Sequence, residues 1–171
     1  MQAPFLFTPF FHDAILRPMV SIRPMTEADL DAVLAIEQSC FPRAWTREHF
    51  LAELGQSRSI SVVAEQSGQV AGYLCLTVLL DEAEILDVAV NPVLQRGGIG
   101  ASLLAWACDE ARRRGATVLR LEVRATSSPA IALYERFGFV RSGLRKAYYE
   151  NNIDALLMDR KLYEEDASDA V

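Results

Sequence analysis

A glycine-rich turn near the middle of the chain constrains the possible folds more than any other feature. The turn, Gln95-Arg96-Gly97-Gly98-Ile99-Gly100, follows an apolar strand pattern that ends at Asn91-Pro92 and precedes an amphipathic helical pattern over 101–114. Such a helix begins with backbone N–H groups that have no intrahelical partner, and these groups and the helix dipole bind phosphate. Because glycine has no Cβ, the backbone can approach a ligand closely. The turn therefore indicates either a site for a phosphate-bearing ligand or a tight turn without a ligand.

Two common phosphate-binding patterns do not fit this turn. A P-loop ends in Gly-Lys followed by Ser or Thr, and that ending is absent here. A dinucleotide-binding fingerprint requires a third glycine three residues after Gly100, where this chain has Leu103. The sequence therefore disfavours a nucleotide-hydrolysing enzyme, and it makes a dinucleotide-dependent oxidoreductase the weakest of the enzyme classes considered.

Hydrophobic periodicity predicts the order strand, two helices, three strands, helix, strand, helix and two strands. Thr26 and Thr46 are expected N-caps of the first two helices, and Ser128-Pro129 is expected to start the last helix, with Ser128 as its cap. Gln66-Ser67-Gly68-Gln69 is expected to be a hairpin turn. The predicted strands are Val20-Ser21-Ile22-Arg23, 60–64, 70–80, 84–90, 117–124, 139–145 and 155–162.

Composition narrows the possible partners and the cellular compartment. The formal net charge of the 171 residues is -6, and four acids of the last eight residues account for most of it, because their removal leaves -2. No basic face and no apolar run of about 20 residues is present, so we expect neither a nucleic-acid partner nor a membrane partner. Cys40, Cys75 and Cys108 are predicted to be buried reduced thiols in a cytoplasmic protein.

The two ends of the chain differ from its body. Residues 1–19 carry four phenylalanines broken by prolines, without the basic start of a signal peptide, and we interpret them as an extension of uncertain status. Met19 is a candidate natural start, and an arm that packs on a neighbouring subunit is the alternative. We predict one domain over 20–163, an acidic disordered tail over 164–171, and a monomer or weak dimer. His12 and His49 lack metal-ligand spacing, so no metal is expected.

The turn and its preceding strand resemble the pyrophosphate-binding motif of GNAT acetyltransferases, as Gln95-x-x-Gly98-x-Gly100 after Val88-Ala89-Val90-x-Pro92. The element order is similar to that family from about residue 20 to residue 162. The resemblance implies an α/β (α+β) GNAT fold, with a mixed, mostly antiparallel sheet of six or seven strands and four flanking helices. It implies acetyl-CoA as co-substrate. The residues it assigns to coenzyme binding are Val88, Ala89, Val90, Gln95, Arg96, Gly97, Gly98, Ile99, Gly100, Ala101, Ser127 and Tyr134.

Later segments are similar to the RimI-type branch, the ribosomal-protein-alanine N-acetyltransferases. They are 121–125, 130–139, Pro42-x-x-Trp45-Thr46 and Tyr148-Tyr149 before Asp154-Ala155-x-x-Met158. The resemblance implies acetylation of a protein N-terminus, with the N-terminal alanine of a small-subunit ribosomal protein as acceptor. An acetyltransferase for small amines and a non-catalytic acyl-CoA-binding regulator are the alternatives. Retention of Glu122 and Tyr134 argues against the regulator.

The resemblance also assigns catalytic roles. It implies that Glu122 is the general base, acting through a water, and that Tyr134 is the general acid toward the leaving thiolate. A backbone N–H near Val88 is expected to stabilise the oxyanion. The alternatives are that Glu122 pairs with Arg120 or Arg124 and that Tyr134 is a core aromatic.

Two positions depart from the branch's pattern. Ser127 stands where relatives commonly have asparagine, which weakens an expected contact with the pantetheine arm. Ile153 stands where relatives often have glycine, in a region that shapes the peptide pocket. Near that pocket, Trp45, Tyr148 and Tyr149 line the substrate entrance or simply pack. Glu150 and Asp154 either meet a basic peptide or form a solvated face.

Overall fold

The computed structural model describes residues 19–163, and within them it contains seven strands and four α-helices. The predictions for 1–18 and 164–171 lie outside the described residues. The strands are β1 (Val20–Pro24), β2 (Ser59–Gln66), β3 (Gln69–Leu79), β4 (Glu82–Val90), β5 (Val118–Arg124), β6 (Val140–Arg145) and β7 (Ala155–Lys161). The helices are α1 (Leu30–Cys40), α2 (Arg47–Leu54), α3 (Ile99–Arg113) and α4 (Ser128–Arg136).

All seven strands form one sheet in the order β1-β2-β3-β4-β5-β7-β6. Every neighbouring pair is antiparallel except β4 and β5, which run parallel and are joined through α3. The predicted mixed, mostly antiparallel sheet with four helices is therefore confirmed. None of the helices over 19–163 has the length and apolarity needed to cross a bilayer.

Local side-chain chemistry explains where the first helices begin. The Thr26 backbone N–H donates to Asp29 Oδ2 at 2.8 Å, and the Arg23 guanidinium holds the same carboxylate at 2.8 and 2.9 Å. The Thr46 backbone N–H likewise donates to Nδ1 of His49 at 3.0 Å. Thr46 is thus the predicted N-cap of α2, whereas Thr26 caps a 3-10 turn over Glu27–Asp29 that leads into α1, whose own N-cap is Asp29.

The start of α4 lies one residue earlier than predicted. Ser127, rather than Ser128, is the N-cap, because the carbonyl of Ser127 accepts the first helical hydrogen bond from the Ile131 N–H at 3.0 Å. Ser128 is the first helical residue and Pro129 the second. Ser127 therefore lies at the N-terminal end of α4, directly before its first helical residue.

The predicted hairpin turn is confirmed by the backbone between β2 and β3. Gln66 pairs with Gln69, so Ser67 and Gly68 are the two turn residues, and their φ angles are 52° and 76°. Positive φ at both positions is the two-residue turn whose twist matches that of the flanking strands.

The helices cover the two faces of the sheet with separate apolar cores. α3 and α4 pack on one face, with Leu103, Leu104 and Leu119 among the buried side chains. α1 and α2 pack on the other face around Phe50 and Tyr73. Side chains that alternate along each central strand therefore point toward one helix pair or the other.

The sheet opens between β4 and β5. Their parallel pairing runs only from Glu82 opposite Val118 to Ile85 opposite Leu121. A β-bulge lies at this point, because Ile85 pairs with Leu76 and Asp87 pairs with Cys75, which leaves Leu86 as an extra residue in β4. A bulge bends its strand and increases the local twist. Beyond the bulge the two strands separate and leave a cleft in the middle of the sheet.

Candidate active site

The cleft between β4 and β5 contains a cavity of about 240 Å³ that reaches both faces of the sheet. Asp87 and Val88 of β4 and Glu122 of β5 form its walls. Because α4 packs on one face and α1 on the other, the cavity joins the two helix layers. The lining side chains on the helices and loops include Glu37, Trp45, Ser127, Tyr134 and Tyr149.

The glycine-rich turn lies at the carboxyl end of β4 and is exposed. Gly98 is the N-cap of α3 and has a φ of +92°, a conformation that strains other residues. The Gln95 side chain fixes the loop by donating to the carbonyl of Val90 at 3.2 Å. The first N–H groups of α3, on Ile99, Gly100 and Ala101, have no acceptor within the helix. This arrangement presents amides to an anion, as the sequence predicts.

Packing beneath the turn brings the starts of α3 and α4 together. A Cβ on Gly100 would lie 3.3 Å from Cδ2 of Leu133, so glycine permits close contact between the helices. The side chains of Ala89 and Ile99 are buried in the cores. These two residues can therefore reach a ligand only through their backbone groups.

The backbone N–H of Val88 faces the cleft. The Asn91 N–H donates to the Ala71 carbonyl of β3. Because N–H groups along a strand alternate in direction, those of Ala89 and Asp87 also point toward β3. The intervening Val88 N–H points the other way, toward the part of β5 that no longer pairs with β4. The Val88 N–H is therefore directed into the gap between β4 and β5, and the oxyanion role that the resemblance implies for it stays a prediction.

Glu122 is half-buried on the face of β5 opposite its buried leucines. Its carboxylate lies 2.9 Å from the Arg145 guanidinium, so the predicted alternative partners, Arg120 and Arg124, are wrong. Arg120 instead pairs with Glu82 at 2.5 Å, and Arg124 pairs with Glu150. The partner is Arg145 because β7 pairs with both β5 and β6, which brings the end of β6 at Arg145 near Glu122.

Tyr134 lies on the opposite side of the cleft from Glu122. Its ring packs against Phe139 with centroids 5.9 Å apart, and it lines the cavity. Burial raises the pKa of the Tyr134 phenol, and the negative charge of Asp87 raises it further. The hydroxyl is therefore neutral at physiological pH and available as a donor. Tyr134 is both a core aromatic and a cleft residue.

Three polar residues of the cleft were missed by the sequence reasoning: Glu37, Tyr73 and Asp87. Glu37 is 1% exposed, although glutamate is rarely fully buried. It follows Val33 by four residues, so helical spacing alone places it on the apolar face of α1. Asp87 interrupts the apolar run of β4. A charged residue at a position that should be buried was the available signal.

The predicted entrance residues divide into two groups. Trp45 and Tyr149 line the cavity, whereas Tyr148 is exposed and packs edge-on against Tyr149. The Asp154 carboxylate accepts from the Ala147 N–H at 2.8 Å. Glu150 contacts Arg124, and its Oε2 lies 3.9 Å from the Arg43 guanidinium. Asp154 thus holds the loop before β7, whereas Oε2 of Glu150 is buried and accepts no hydrogen bond from the described residues.

None of the three cysteines lines the cavity between β4 and β5. Cys75 and Cys108 are buried as predicted, while Cys40 is only half-buried, and all three thiols are free. Over residues 19–163, no group of three histidine, cysteine or acidic side chains is arranged to hold a metal ion.

Comparisons with known proteins agree with the fold and the turn. Residues 30–139 match the family described as Acetyltransferase (GNAT) family. The [ribosomal protein bS18]-alanine N-acetyltransferase of Escherichia coli K12 is 37% identical over 143 residues, which cover 82% of this chain and 96% of the relative.

Two solved structures extend this similarity. The ribosomal-protein-S18-alanine N-acetyltransferase of Escherichia coli has a TM-score of 0.80 at 34% identity, covering 88% of this chain and 98% of the other. The yncA structure of Salmonella typhimurium, solved with its cofactor acetyl-CoA, has a TM-score of 0.72 at 26% identity, covering 89% and 99% of the two chains. This chain therefore belongs to the GNAT acetyltransferase family and is an N-acetyltransferase of the RimI type.

Proposed function

We propose that this enzyme transfers the acetyl group of acetyl-CoA to the α-amino group of a protein N-terminus, the N-terminal alanine of a ribosomal protein. The observation that carries the chemistry is the single cleft that joins Glu122, the Val88 N–H and Tyr134 below an amide-rich turn. The acceptor follows from relatives that are named for the alanine of ribosomal protein bS18. Such an acceptor places the enzyme in the cytoplasm.

The proposed coenzyme site combines backbone amides and one exposed cation. The N–H groups of the glycine-rich turn and the first turn of α3 would hold the pyrophosphate, with Arg96 beside them. Ser127 lies half-buried at the cap of α4, where its hydroxyl can meet the pantetheine arm. These groups place the thioester at the gap between β4 and β5.

An N-terminal amine suits a cleft with carboxylate bases. A free α-amino group has a pKa of about 7.7–8.0, against about 10.4 for lysine, so about a tenth of it is neutral at pH 7. The difference of about 2.5 pKa units corresponds to about 3.4 kcal/mol of deprotonation free energy. A carboxylate therefore activates an N-terminus more readily than a lysine.

The three cleft groups supply the three needs of acyl transfer. Glu122 accepts a proton from the amine nitrogen, through a water. The Val88 N–H donates to the oxygen that becomes negative when the nitrogen attacks the thioester carbon. Tyr134, kept neutral by burial, donates to the sulfur as the carbon–sulfur bond breaks.

Mass spectrometry of peptides incubated with enzyme and acetyl-CoA tests this proposal. One peptide begins with alanine and carries a basic sequence, and its matched control has a blocked N-terminus and internal lysines. We expect acetylation of the free alanine only. Acetylation of the lysines, or of small amines but neither peptide, would contradict the N-terminal acceptor. Bound acetyl-CoA without any product would favour a non-catalytic acyl-CoA-binding protein.

A further inference from the structure

Glu37, Tyr73 and Asp87 form a hydrogen-bonded cluster on the α1 side of the cleft. The Trp45 backbone N–H donates to Glu37 Oε1 at 2.6 Å, and the Tyr73 hydroxyl donates to Glu37 Oε2. The same hydroxyl lies 3.1 Å from Asp87 Oδ2. Glu37 and Asp87 both line the cavity that contains Glu122 and Tyr134. The cluster therefore borders the site of acyl transfer.

Proton counting shows that this cluster can hold an extra proton. A phenol has one hydrogen, and here its oxygen contacts two carboxyl groups. Since that single hydrogen cannot serve Glu37 and Asp87 at once, an added proton on Asp87 would complete the contact between Asp87 Oδ2 and the phenol oxygen. Among the described residues, no arginine forms an ion pair with Glu37 or Asp87. An arriving cation would therefore find negative charge without a partner.

The surroundings of Asp87 place its proton exchange near neutral pH. Burial and the adjacent Glu37 carboxylate raise the pKa of Asp87 to about 8, against smaller opposing effects of the hydrogen bonds from the Tyr73 hydroxyl and the Val88 N–H. Glu122, Arg43 and Arg124 also line the cavity at greater distance from this carboxyl. The titratable groups that neighbouring elements direct toward Asp87 are Glu37, Cys40, Tyr73, Cys75, Tyr134 and Tyr149.

An acceptor that enters the cleft as the ammonium ion requires a second proton acceptor. An α-ammonium group loses two protons from nitrogen when it becomes an amide, and only one proton goes to the thiolate. Glu122 accounts for one of these transfers in the proposed function. A group on the acceptor side of the cleft must receive the other, and Asp87 is the carboxyl in position for it.

We propose that Asp87 is a further catalytic residue that receives the first proton of the acceptor's ammonium group, while Tyr73 and Glu37 hold its carboxyl at the cleft. This role rests on the proposed function. Glu37 is a positioning residue, because its bonds to the Trp45 N–H and the Tyr73 hydroxyl tie α1, the loop after it and β3 together.

The proposed step balances in atoms and charge. The ionised Asp87 carboxylate takes a proton from the ammonium, and the freed nitrogen lone pair forms a bond to the thioester carbon. The carbonyl π pair moves to oxygen and then returns, and the carbon–sulfur pair leaves with sulfur, which receives a proton from Tyr134. Glu122 takes the second nitrogen proton, which can return to Tyr134. One proton then leaves Asp87 for solvent.

Two acceptors that differ only in the charge of the nucleophile test this role. One is the alanine peptide, and the other is the same peptide with an aminooxy group at its end, which is neutral at pH 7. We expect Asp87→Asn to lower kcat/KM for the alanine peptide by about tenfold or more and for the aminooxy peptide by less than about threefold.

Asp159→Asn is the matched control, because Asp159 is a β7 carboxylate outside the cleft that accepts from the Ser142 hydroxyl at 2.9 Å. It should match the wild type on both peptides. Acetyl-CoA titration of Asp87→Asn checks that the coenzyme site is intact. Equal losses on both acceptors, or an unchanged rate with the alanine peptide, would overturn the role of Asp87. Failure of the wild-type enzyme to acetylate the alanine peptide would instead contradict the proposed function.

Discussion

The two sides of the cleft differ in the groups that they present: backbone groups on one side and carboxyl side chains on the other. On the α3 and α4 side, the turn around Gly98 and the cap of α4 present backbone groups, and the nearby Tyr134 is neutral. On the α1 side, three carboxyl side chains reach the same cavity, those of Glu37, Asp87 and Glu122. In the proposed function, an anionic coenzyme therefore meets amides, whereas a cationic acceptor meets acids.

This difference indicates which features of the chain determine coenzyme binding and which determine acceptor activation. Amides keep their polarity at every pH, so coenzyme binding on the turn should depend on backbone conformation. Carboxyl groups titrate, so acceptor activation should depend on pH and on side-chain identity. Variants on one side should consequently leave the other substrate's affinity nearly unchanged.

Tyr134→Phe should have the largest effect, because the hydroxyl acts where the two sides meet. We expect turnover to fall by about 10³-fold, since general acid catalysis contributes about 10²–10⁴-fold. Single-turnover kinetics would measure this loss, and calorimetric titration should give an unchanged Kd for acetyl-CoA. Wild-type turnover in this variant would remove the proposed role of Tyr134.

Glu122→Gln should lower turnover by about 10²-fold, less than Tyr134→Phe because part of an α-amine is already neutral at pH 7. Steady-state rates at saturating acetyl-CoA would measure it. Glu82→Gln is the matched control, since Glu82 lies on β4 and pairs with Arg120 outside the cavity. If Glu122→Gln chiefly raised the KM for acetyl-CoA, the division between the two sides would be wrong.

Gly98→Ala should raise the KM for acetyl-CoA by about fivefold, because an αL conformation strains alanine by about 1 kcal/mol. The φ of Gly98 is +92° and a Cβ added there would have no neighbouring atom within 4 Å, so strain at the turn is the only change. Gly68→Ala imposes the same kind of strain in the hairpin turn, where φ is +76°, and should leave the KM unchanged. Equal KM values in both variants would mean that the turn does not bind the coenzyme.

Asp87→Asn should change the pH dependence of stability, which is the smallest effect. Because the raised pKa of Asp87 lets the folded protein bind more protons than the unfolded chain between about pH 4 and about 8, wild-type stability should fall as pH rises through this window. The Asp87→Asn variant lacks this pH-dependent contribution to the free energy of unfolding. From pH 5 to pH 8 it should therefore gain at least about 1 kcal/mol relative to the wild type, measured by urea denaturation. A constant difference across these pH values would contradict the raised pKa.

Local patterns in the sequence were sufficient for most of the fold. The caps at Thr26 and Thr46 and the Ser67-Gly68 turn depend on residues within three positions of one another, so they could be predicted. The start of α4 was displaced by one residue because two adjacent serines offer similar caps, and only the Ile131 hydrogen bond distinguishes them.

The cleft depends instead on contacts that no local pattern contains. Tyr73 meets Glu37 across 36 positions of the chain, and Glu122 meets Arg145 only because β6 and β7 return to the sheet. Glu122 and Tyr134 were proposed from a family resemblance, and their roles stay predictions. Asp87 was missed because a strand pattern shows which face a residue occupies but not which strand stops pairing beside it.

The opening of the sheet depends on the number of residues in β4, because the bulge at Leu86 adds one residue to this strand. β4 carries one residue more than β3 across the point where β4 leaves β5. Loss of that single codon would let the ladder continue in register and would move every later side chain of β4 to the opposite face. Evolution can exchange side chains in this cleft one at a time, but a one-residue insertion or deletion in β4 should be far harder to tolerate.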